Sequence, residues 1–160
     1  MVLLVVIVDR RLLKWLKLGL ILLCLTFNTG ALTNPSMQSA DIRTVLKQAR
    51  DAWVARDADA LALLFSPDGE LIVPGKRWQG RAQIRAELTR FAQQYSDVQI
   101  DIRRIIVEGN HAVIEWSYKD MENATGIRHQ ADDAIIVDFK DGQIGRWREY
   151  FDEKTPTSKT

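Results

Sequence analysis

The C-terminal segment DGQIGRWREYFD, residues 141–152, says most about the architecture of this chain. Its opening Asp-Gly pair is typical of a hairpin turn, and residues 143–151 behind it fit an extended strand. Three earlier stretches alternate apolar and polar side chains in the same way, at residues 98–107, 112–118 and 129–139. A period of two is typical of strands that bury one face. The second half of the chain therefore predicts an antiparallel meander, with a bulge expected where Arg103-Arg104 interrupts the alternation.

The first half of the chain has a helical character. Apolar side chains at three- and four-residue steps, together with capping aspartates, predict three helices: residues 40–56, 60–65 and 80–95. Between the last two, we predict a turn at residues 66–69 and a short strand at 70–73. Helices followed by antiparallel strands indicate an α+β domain. We expect a cone, in which three N-terminal helices pack on a curved antiparallel sheet that encloses a pocket.

Composition narrows the class of protein. The chain has 160 residues, of which 46% are hydrophobic and 27% charged, with a net charge of +1 and one cysteine. This is the composition of one globular domain, which excludes a collagen-like or wholly disordered chain. Because the net charge is close to zero, nothing favours nucleic acid as a partner. A single cysteine excludes an intramolecular disulfide and a thiolate metal cluster.

Residues 1–36 differ from the rest of the chain. A basic region is followed by an apolar run at residues 18–27 and then by small and polar residues. That layout predicts a signal peptide or an N-terminal membrane anchor with a short linker, and hence an exported (periplasmic or secreted) or membrane-anchored protein. Translation from Met37 is the alternative, and would make the protein cytoplasmic. We assign the domain to residues 37–153 and a flexible tail to residues 154–160.

Four motifs in order resemble one family. They are WVARDADAL from Trp53, LFSPDG from Leu64, WQGRAQI from Trp78, and the C-terminal segment quoted above. Together they resemble SnoaL-like domains of the nuclear-transport-factor-2-like superfamily, over residues 40–153. The resemblance implies a cone-shaped fold and a homodimer formed through the convex face of the sheet. The superfamily includes ketosteroid isomerases, polyketide cyclases, limonene epoxide hydrolase and non-catalytic binding domains, so it implies no single activity.

The candidate catalytic residues come from the predicted strand faces. By resemblance to limonene epoxide hydrolase, Glu149 faces the pocket, and alternation places Asp133, His129 and Tyr118 on the same side of the sheet. A carboxylate surrounded by aromatic rings is desolvated, so its pKa should rise towards a value useful for a base. We predict that Glu149 or Asp133 is a general base and that His129 or Tyr118 is its electrophilic partner. The apolar lining is predicted to be Trp53, Leu71, Val73, Trp116, Trp147 and Phe151.

Plainer interpretations fit the same residues. Glu149 could pair with Arg103 or Arg104 across the sheet, and a shift of one residue would turn Asp132 inward in place of Asp133. His129 could be exposed, and the tryptophans could be core. Trp116 and Tyr118 stand where limonene epoxide hydrolase has catalytic arginine and aspartate, so epoxide hydrolysis is disfavoured. No metal-ligand spacing and no cofactor motif is found in the sequence.

The resulting hypothesis is a domain that binds a small hydrophobic molecule without a cofactor. Proton abstraction next to a carbonyl would make it an isomerase or cyclase. The competing hypothesis is a non-catalytic module, exported or membrane-tethered, that binds a ligand or associates with a partner. A pocket filled by its own tryptophans would favour a structural role.

Overall fold

The computed structural model describes residues 37–154 and the backbone of residues 157–158. The predicted signal or anchor segment, residues 1–36, lies outside the described residues. Within the described residues, three helices are present: α1 (Ser39–Ala55), α2 (Ala58–Leu64) and α3 (Arg81–Gln94). None of the helices in this part of the chain is long and apolar enough to cross a membrane.

The strands of the described chain form one sheet. They are β1 (Phe65–Val73), β2 (Lys76–Gln79), β3 (Tyr95–Glu108), β4 (His111–Glu122), β5 (Ile127–Lys140), β6 (Gln143–Glu153) and β7 (Thr157–Ser158). The order across the sheet is β2-β1-β6-β5-β4-β3, and β7 pairs with the beginning of β5. The path does not close, so this is an open, curved sheet. The α+β class is confirmed.

Two predictions about the first strand were wrong. Residues 66–69 are not a separate turn but part of β1, whose pairing with β6 shifts register between Phe65 and Glu70. This bulge accommodates Pro67, which has no N–H to donate to a neighbouring strand. It also contains Gly69, where a Cβ would lie 2.9 Å from the carbonyl oxygen of Ile144. The β1–β6 pairing is also parallel, so the sheet is mixed and not purely antiparallel. Strand β2 was not predicted.

The bulge predicted at Arg103-Arg104 is confirmed. The β3–β4 register shifts between Ile102 and Arg104. Because a bulge adds one residue to one strand of a pair, it bends and twists that strand. A second shift, between Asp138 and Phe139, interrupts the β5–β6 ladder. These irregularities provide curvature in a sheet that wraps the helices.

The helices are tied to one another at their ends. Ile42, Leu46 and Ala49 are fully buried along one face of α1. The helix stops at Arg56, which has a φ of 56°, and Asp57 then caps α2 by accepting the Ala60 N–H at 2.9 Å. The Arg56 guanidinium donates to the carbonyl oxygen of Tyr95 at 3.0 Å. The end of α1 is therefore fixed to the junction between α3 and β3.

Alternate residues of the central strands are buried, as the predicted faces require. Trp116 on β4, Ile135 on β5 and Trp147 on β6 belong to the hydrophobic core, and we call this side the inner face. On the other side, the outer face, Val113 and Ile136 are exposed. The chemistry-bearing residues predicted from the sequence therefore have to be sought on the inner face.

Candidate functional site

Two indole–carboxylate pairs lie beside each other on the inner face. Trp116 is directly opposite Asp133, and its Nε1 donates to Asp133 Oδ2 at 2.6 Å. Trp147 Nε1 donates to Glu149 Oε1 at 2.6 Å, two residues along the same strand. The two indole rings are 5.7 Å apart between centroids. Each carboxylate is thus oriented by a fixed aromatic donor.

Both carboxyl groups have raised pKa values. Burial raises the pKa of Glu149 to about 7; the Trp147 hydrogen bond opposes this effect, and the charge of Asp133 adds to it. Burial likewise raises the pKa of Asp133 to about 6, against the Trp116 hydrogen bond and together with the charge of Asp132. Desolvation dominates in both cases because the inner face is apolar. A base with a pKa near 7 suits proton transfer at neutral pH.

Asp133 also has a free acceptor. Its side chain is 6% exposed, and within the described residues its Oδ1 is buried without a hydrogen-bond partner. Burying a carboxylate oxygen unpaired is unfavourable, and such atoms are rare unless they serve a purpose. This oxygen can accept a proton or a hydrogen bond from a group that enters the site.

A second polar cluster lies further along the same face. Tyr118 OH donates to Asp120 Oδ2 at 2.6 Å, and His129 Nδ1 is 2.8 Å from Asp120 Oδ1. Asp120 is 4% exposed and lies directly opposite His129 in the β4–β5 register. Burial first, and then the charges of Asp120, Glu149 and Asp133, raise the pKa of Tyr118 far above its usual value. Tyr118 therefore keeps its proton, and its hydroxyl group donates a hydrogen bond to Asp120.

The residues predicted to line a pocket are in three different environments. Leu71, Trp116 and Trp147 are almost completely buried in the core. Trp53 is half-buried and packs edge-on against Phe91 at 5.2 Å. Phe151 is opposite Asp133 and 36% exposed. The enclosed pocket thus stays a prediction, and its tryptophan walls are packed side chains.

A cavity of about 410 Å³ does reach Glu149. It lies between residues 72–77, at the β1–β2 turn, and residues 148–150 of β6, so Val73 is also part of its lining. Glu149 is the one residue of the two pairs that lines this cavity.

The plainer interpretations of Glu149 and Asp133 do not hold. Arg103 pairs with Asp132 at 2.9 Å, and Arg104 lies 3.8 Å from Glu115, so neither arginine is paired with Glu149. Asp132 also forms an ion pair with Lys154, whose Nζ is 3.3 Å from Asp132 Oδ2. Asp132 therefore belongs to the outer ion-pair network, and Asp133 is the inward residue.

Comparisons with known proteins identify the family of this domain. The family model for the SnoaL-like domain matches residues 46–147. The chain belongs to the SnoaL-like domain family. No curated protein matches the sequence.

Solved structures show the same fold at low identity. A protein with a ketosteroid isomerase-like fold from Catenulispora acidiphila, in complex with trimethylamine, is 22% identical over 66% of this chain and 83% of its own, with a TM-score of 0.63. An LEH-like epoxide hydrolase of M. tuberculosis is 21% identical over 71% of this chain and 84% of its own, with a TM-score of 0.63. An NTF2-like protein of unknown function from Burkholderia xenovorans LB400 is 25% identical over 74% and 88%, with a TM-score of 0.60.

Sequence reasoning missed one polar residue of this SnoaL-like domain, Asp120. The strand was predicted to end at Tyr118, whereas β4 continues to Glu122. Continuing the alternation of Trp116 and Tyr118 by one step would have placed Asp120 on the inner face. The other histidine, His111, lies 2.7 Å from Asp138 and is exposed. Within the described residues, no three His, Cys, Asp or Glu side chains are grouped to hold a metal ion.

Proposed function

We propose that this SnoaL-like domain binds a small hydrophobic carbonyl compound and moves a proton next to the carbonyl group, as a cofactor-independent isomerase or cyclase. One observation carries the proposal: Glu149, held by Trp147 on an apolar face, borders a cavity and has its pKa raised to about 7. Relatives with ketosteroid isomerase-like folds support the same class of chemistry by analogy.

The proposed step uses Glu149 as the general base. The carboxylate takes a proton from the carbon beside the carbonyl group, and the C–H electron pair forms the enolate, whose negative charge rests on oxygen. Returning the proton to a different carbon isomerises the compound, whereas attack of the enolate on a second carbonyl closes a ring. Burial raises the pKa of Glu149 to about 7, and the negative charge of Asp133 adds to this effect. With the pKa of Asp133 at about 6, Glu149 is the stronger base of the two.

Exchange of carbon-bound protons tests this proposal. The probe is 1-tetralone, a bicyclic ketone whose protons beside the carbonyl exchange with D₂O when a base removes them; proton NMR follows the loss of their signal. Exchange faster than in buffer supports the proposal. Binding of 1-tetralone without faster exchange contradicts catalysis and favours the competing function, a non-catalytic binding module. The burial of Trp116 and Trp147 in the core supports a third possibility, a structural role.

Export or membrane attachment through residues 1–36 is part of the same proposal. The basic, apolar and small-residue regions of that segment support it. N-terminal sequencing of the protein from its native cells tests it. A mature chain whose first residue is Leu32 supports cleavage after Ala31 and export. A chain that begins at Met37 contradicts it.

The outer face supports a homodimer. Ile106, Val113 and Ile136 lie side by side on three neighbouring strands and are 53%, 39% and 41% exposed. A row of exposed branched side chains across a sheet is an unusual surface for a monomer. A second copy of the chain, packed face to face through the same row, would bury these side chains in an isologous interface.

We expect Ile136→Asp to convert the dimer into a monomer, because a two-fold axis would bury two new carboxylates at the interface. Sedimentation velocity measures the change. Leu63→Asp is the matched control, since Leu63 is 57% exposed on α2, away from the sheet, and this variant should remain dimeric. A monomeric wild type, or an Ile136→Asp variant that still dimerises, would contradict the proposed interface.

A further inference from the structure

The cluster formed by Tyr118, Asp120 and His129 is separate from the Glu149 carboxylate. On β5, His129 precedes Ile135, the residue opposite Glu149, by six positions. Six residues of an extended strand span about 20 Å. Asp120 and His129 therefore lie further along the sheet than Glu149, although the negative charge of Glu149 still contributes to the raised pKa of Tyr118.

The hydrogen bonds of this cluster use the Tyr118 proton, both carboxylate oxygens of Asp120 and Nδ1 of His129, and they leave Nε2 of His129 without a partner among the described residues. Asp120, when ionised, can only accept, so the proton in its bond with His129 is carried by Nδ1. Tyr118 has a single proton, and it is already donated to Asp120. Tyr118 therefore cannot act as the hydrogen-bond donor to a ligand oxygen in this arrangement. In the neutral ring Nε2 of His129 is then an acceptor, and Asp120 fixes the tautomer and the orientation of that ring.

A row of aromatic rings adjoins His129. The Tyr95 ring meets the imidazole edge-on at 6.0 Å and stacks on Phe91 at 5.0 Å, and Phe91 contacts Trp53 at 5.2 Å. All four rings are half-buried, in contrast to the buried Trp116 and Trp147. We call Trp53, Phe91 and Tyr95 the aromatic row. It offers flat apolar surface that is still accessible beside a fixed polar atom.

We propose that this place is a binding subsite for a planar aromatic compound that carries a hydroxyl group. The ring of the ligand packs against the aromatic row, and its hydroxyl group donates a hydrogen bond to Nε2 of His129. Asp120 is a positioning residue, because it acts on the ligand only through the orientation of His129. A rigid aromatic surface with a single oriented polar group is the usual composition of a small-molecule site.

Binding of 4-nitrophenol to the full-length chain, measured by isothermal titration calorimetry, tests the subsite. We expect His129→Gln to weaken binding about tenfold, the ratio that corresponds to one lost hydrogen bond of ordinary strength. His111→Gln is the matched control, since His111 contacts Asp138 at 2.7 Å in the same manner on an exposed part of the sheet. It should bind 4-nitrophenol like the wild type.

The state of the His129 ring tests the role of Asp120 separately. The chain has two histidines, so nitrogen-15 NMR of the imidazole rings resolves both, and His111→Gln assigns them. We expect the neutral His129 ring to carry its proton on Nδ1 in the wild type, and to lose that preference in Asp120→Asn.

Three results would overturn the proposal. They are the absence of 4-nitrophenol binding, equal affinity in the wild type and His129→Gln, and a wild-type His129 ring protonated on Nε2. If Glu149→Gln weakens the binding of 4-nitrophenol and His129→Gln does not, the phenol binds near Glu149, and the proposed subsite is rejected. None of these results bears on proton abstraction by Glu149, which the exchange of 1-tetralone tests.

Discussion

Replacing Glu149 with glutamine should lower the rate of 1-tetralone exchange by at least about a hundredfold, the usual contribution of a general base. The glutamine side chain keeps an amide oxygen that can accept the Trp147 N–H bond, seen at 2.6 Å in the wild type, so the local packing is preserved. What is lost is the basic electron pair. A large loss of rate with an unchanged near-UV spectrum would therefore be a chemical effect and not one of folding.

The pH profile of the exchange adds a second signature. Only the ionised carboxylate can take a proton, so the wild-type rate should rise with pH and level off above the Glu149 pKa of about 7. Residual exchange in Glu149→Gln should lack this step. Glu108→Gln, an exposed glutamate at the end of β3, serves as control and should retain both the rate and the profile. A Glu149→Gln variant that keeps more than half of the wild-type rate would refute the assignment.

The same two carboxylates should destabilise the folded protein at neutral and alkaline pH. Burial raises the pKa of Asp133 from 3.8 to about 6 and that of Glu149 from 4.5 to about 7. The folded state therefore holds protons that the unfolded chain has already released, and the free energy of unfolding falls as pH rises from about 4 to about 7. At about 1.4 kcal/mol per pKa unit, each group contributes a loss of about 3 kcal/mol across that window.

Amide variants should remove this loss. Relative to the wild type, we expect Asp133→Asn and Glu149→Gln each to gain up to about 3 kcal/mol in unfolding free energy between about pH 4 and pH 8. The double variant should gain less than the sum, because Asp133 contributes to the raised pKa of Glu149. Urea denaturation at several pH values measures these differences.

The control for this series is Asp101→Asn, an exposed carboxylate on β3. It removes a carboxylate that is not buried, and so measures the effect of the substitution itself. If the unfolding free energies of Asp133→Asn and Glu149→Gln depended on pH in the same way as that of Asp101→Asn, burial would not destabilise the two ionised carboxylates. The argument that Glu149 is a base with a raised pKa would then be contradicted. Removing a penalty at the expense of activity is the expected exchange between stability and function.

Side-chain periodicity explains why so much of the fold could be predicted. A strand that buries one face must alternate, so Trp116, Asp133 and Trp147 could be assigned to one side of the sheet from the sequence alone. The elements that were not predicted are those whose sequence does not alternate between apolar and polar residues. Strand β2 is short, with three exposed residues of four, and carries no alternation of burial that a sequence could reveal.

The polar cluster depended on information that periodicity does not contain. Asp120 and His129 are nine residues apart, and they meet because the β4–β5 hairpin sets them opposite each other. The exact register follows from the turn between Glu122 and Ile127, whose length no alternating pattern determines. Likewise, the sequence could indicate that aromatic rings surround Glu149, but not that the nearest indole donates to it.

The parallel pairing of β1 with β6 has a consequence for how this protein is made. Phe65 pairs with Ile144, and Leu71 with Trp147, so the strand that leaves α2 acquires its only neighbour besides the short β2 when β6 emerges from the ribosome. Until then, the nascent chain holds an apolar strand with one open edge, a state that favours association with chaperones or with other chains. Pairing across such a separation in sequence is also slow. We therefore expect the emergence of β6 from the ribosome, and not the synthesis of the helices, to set the moment at which the domain folds.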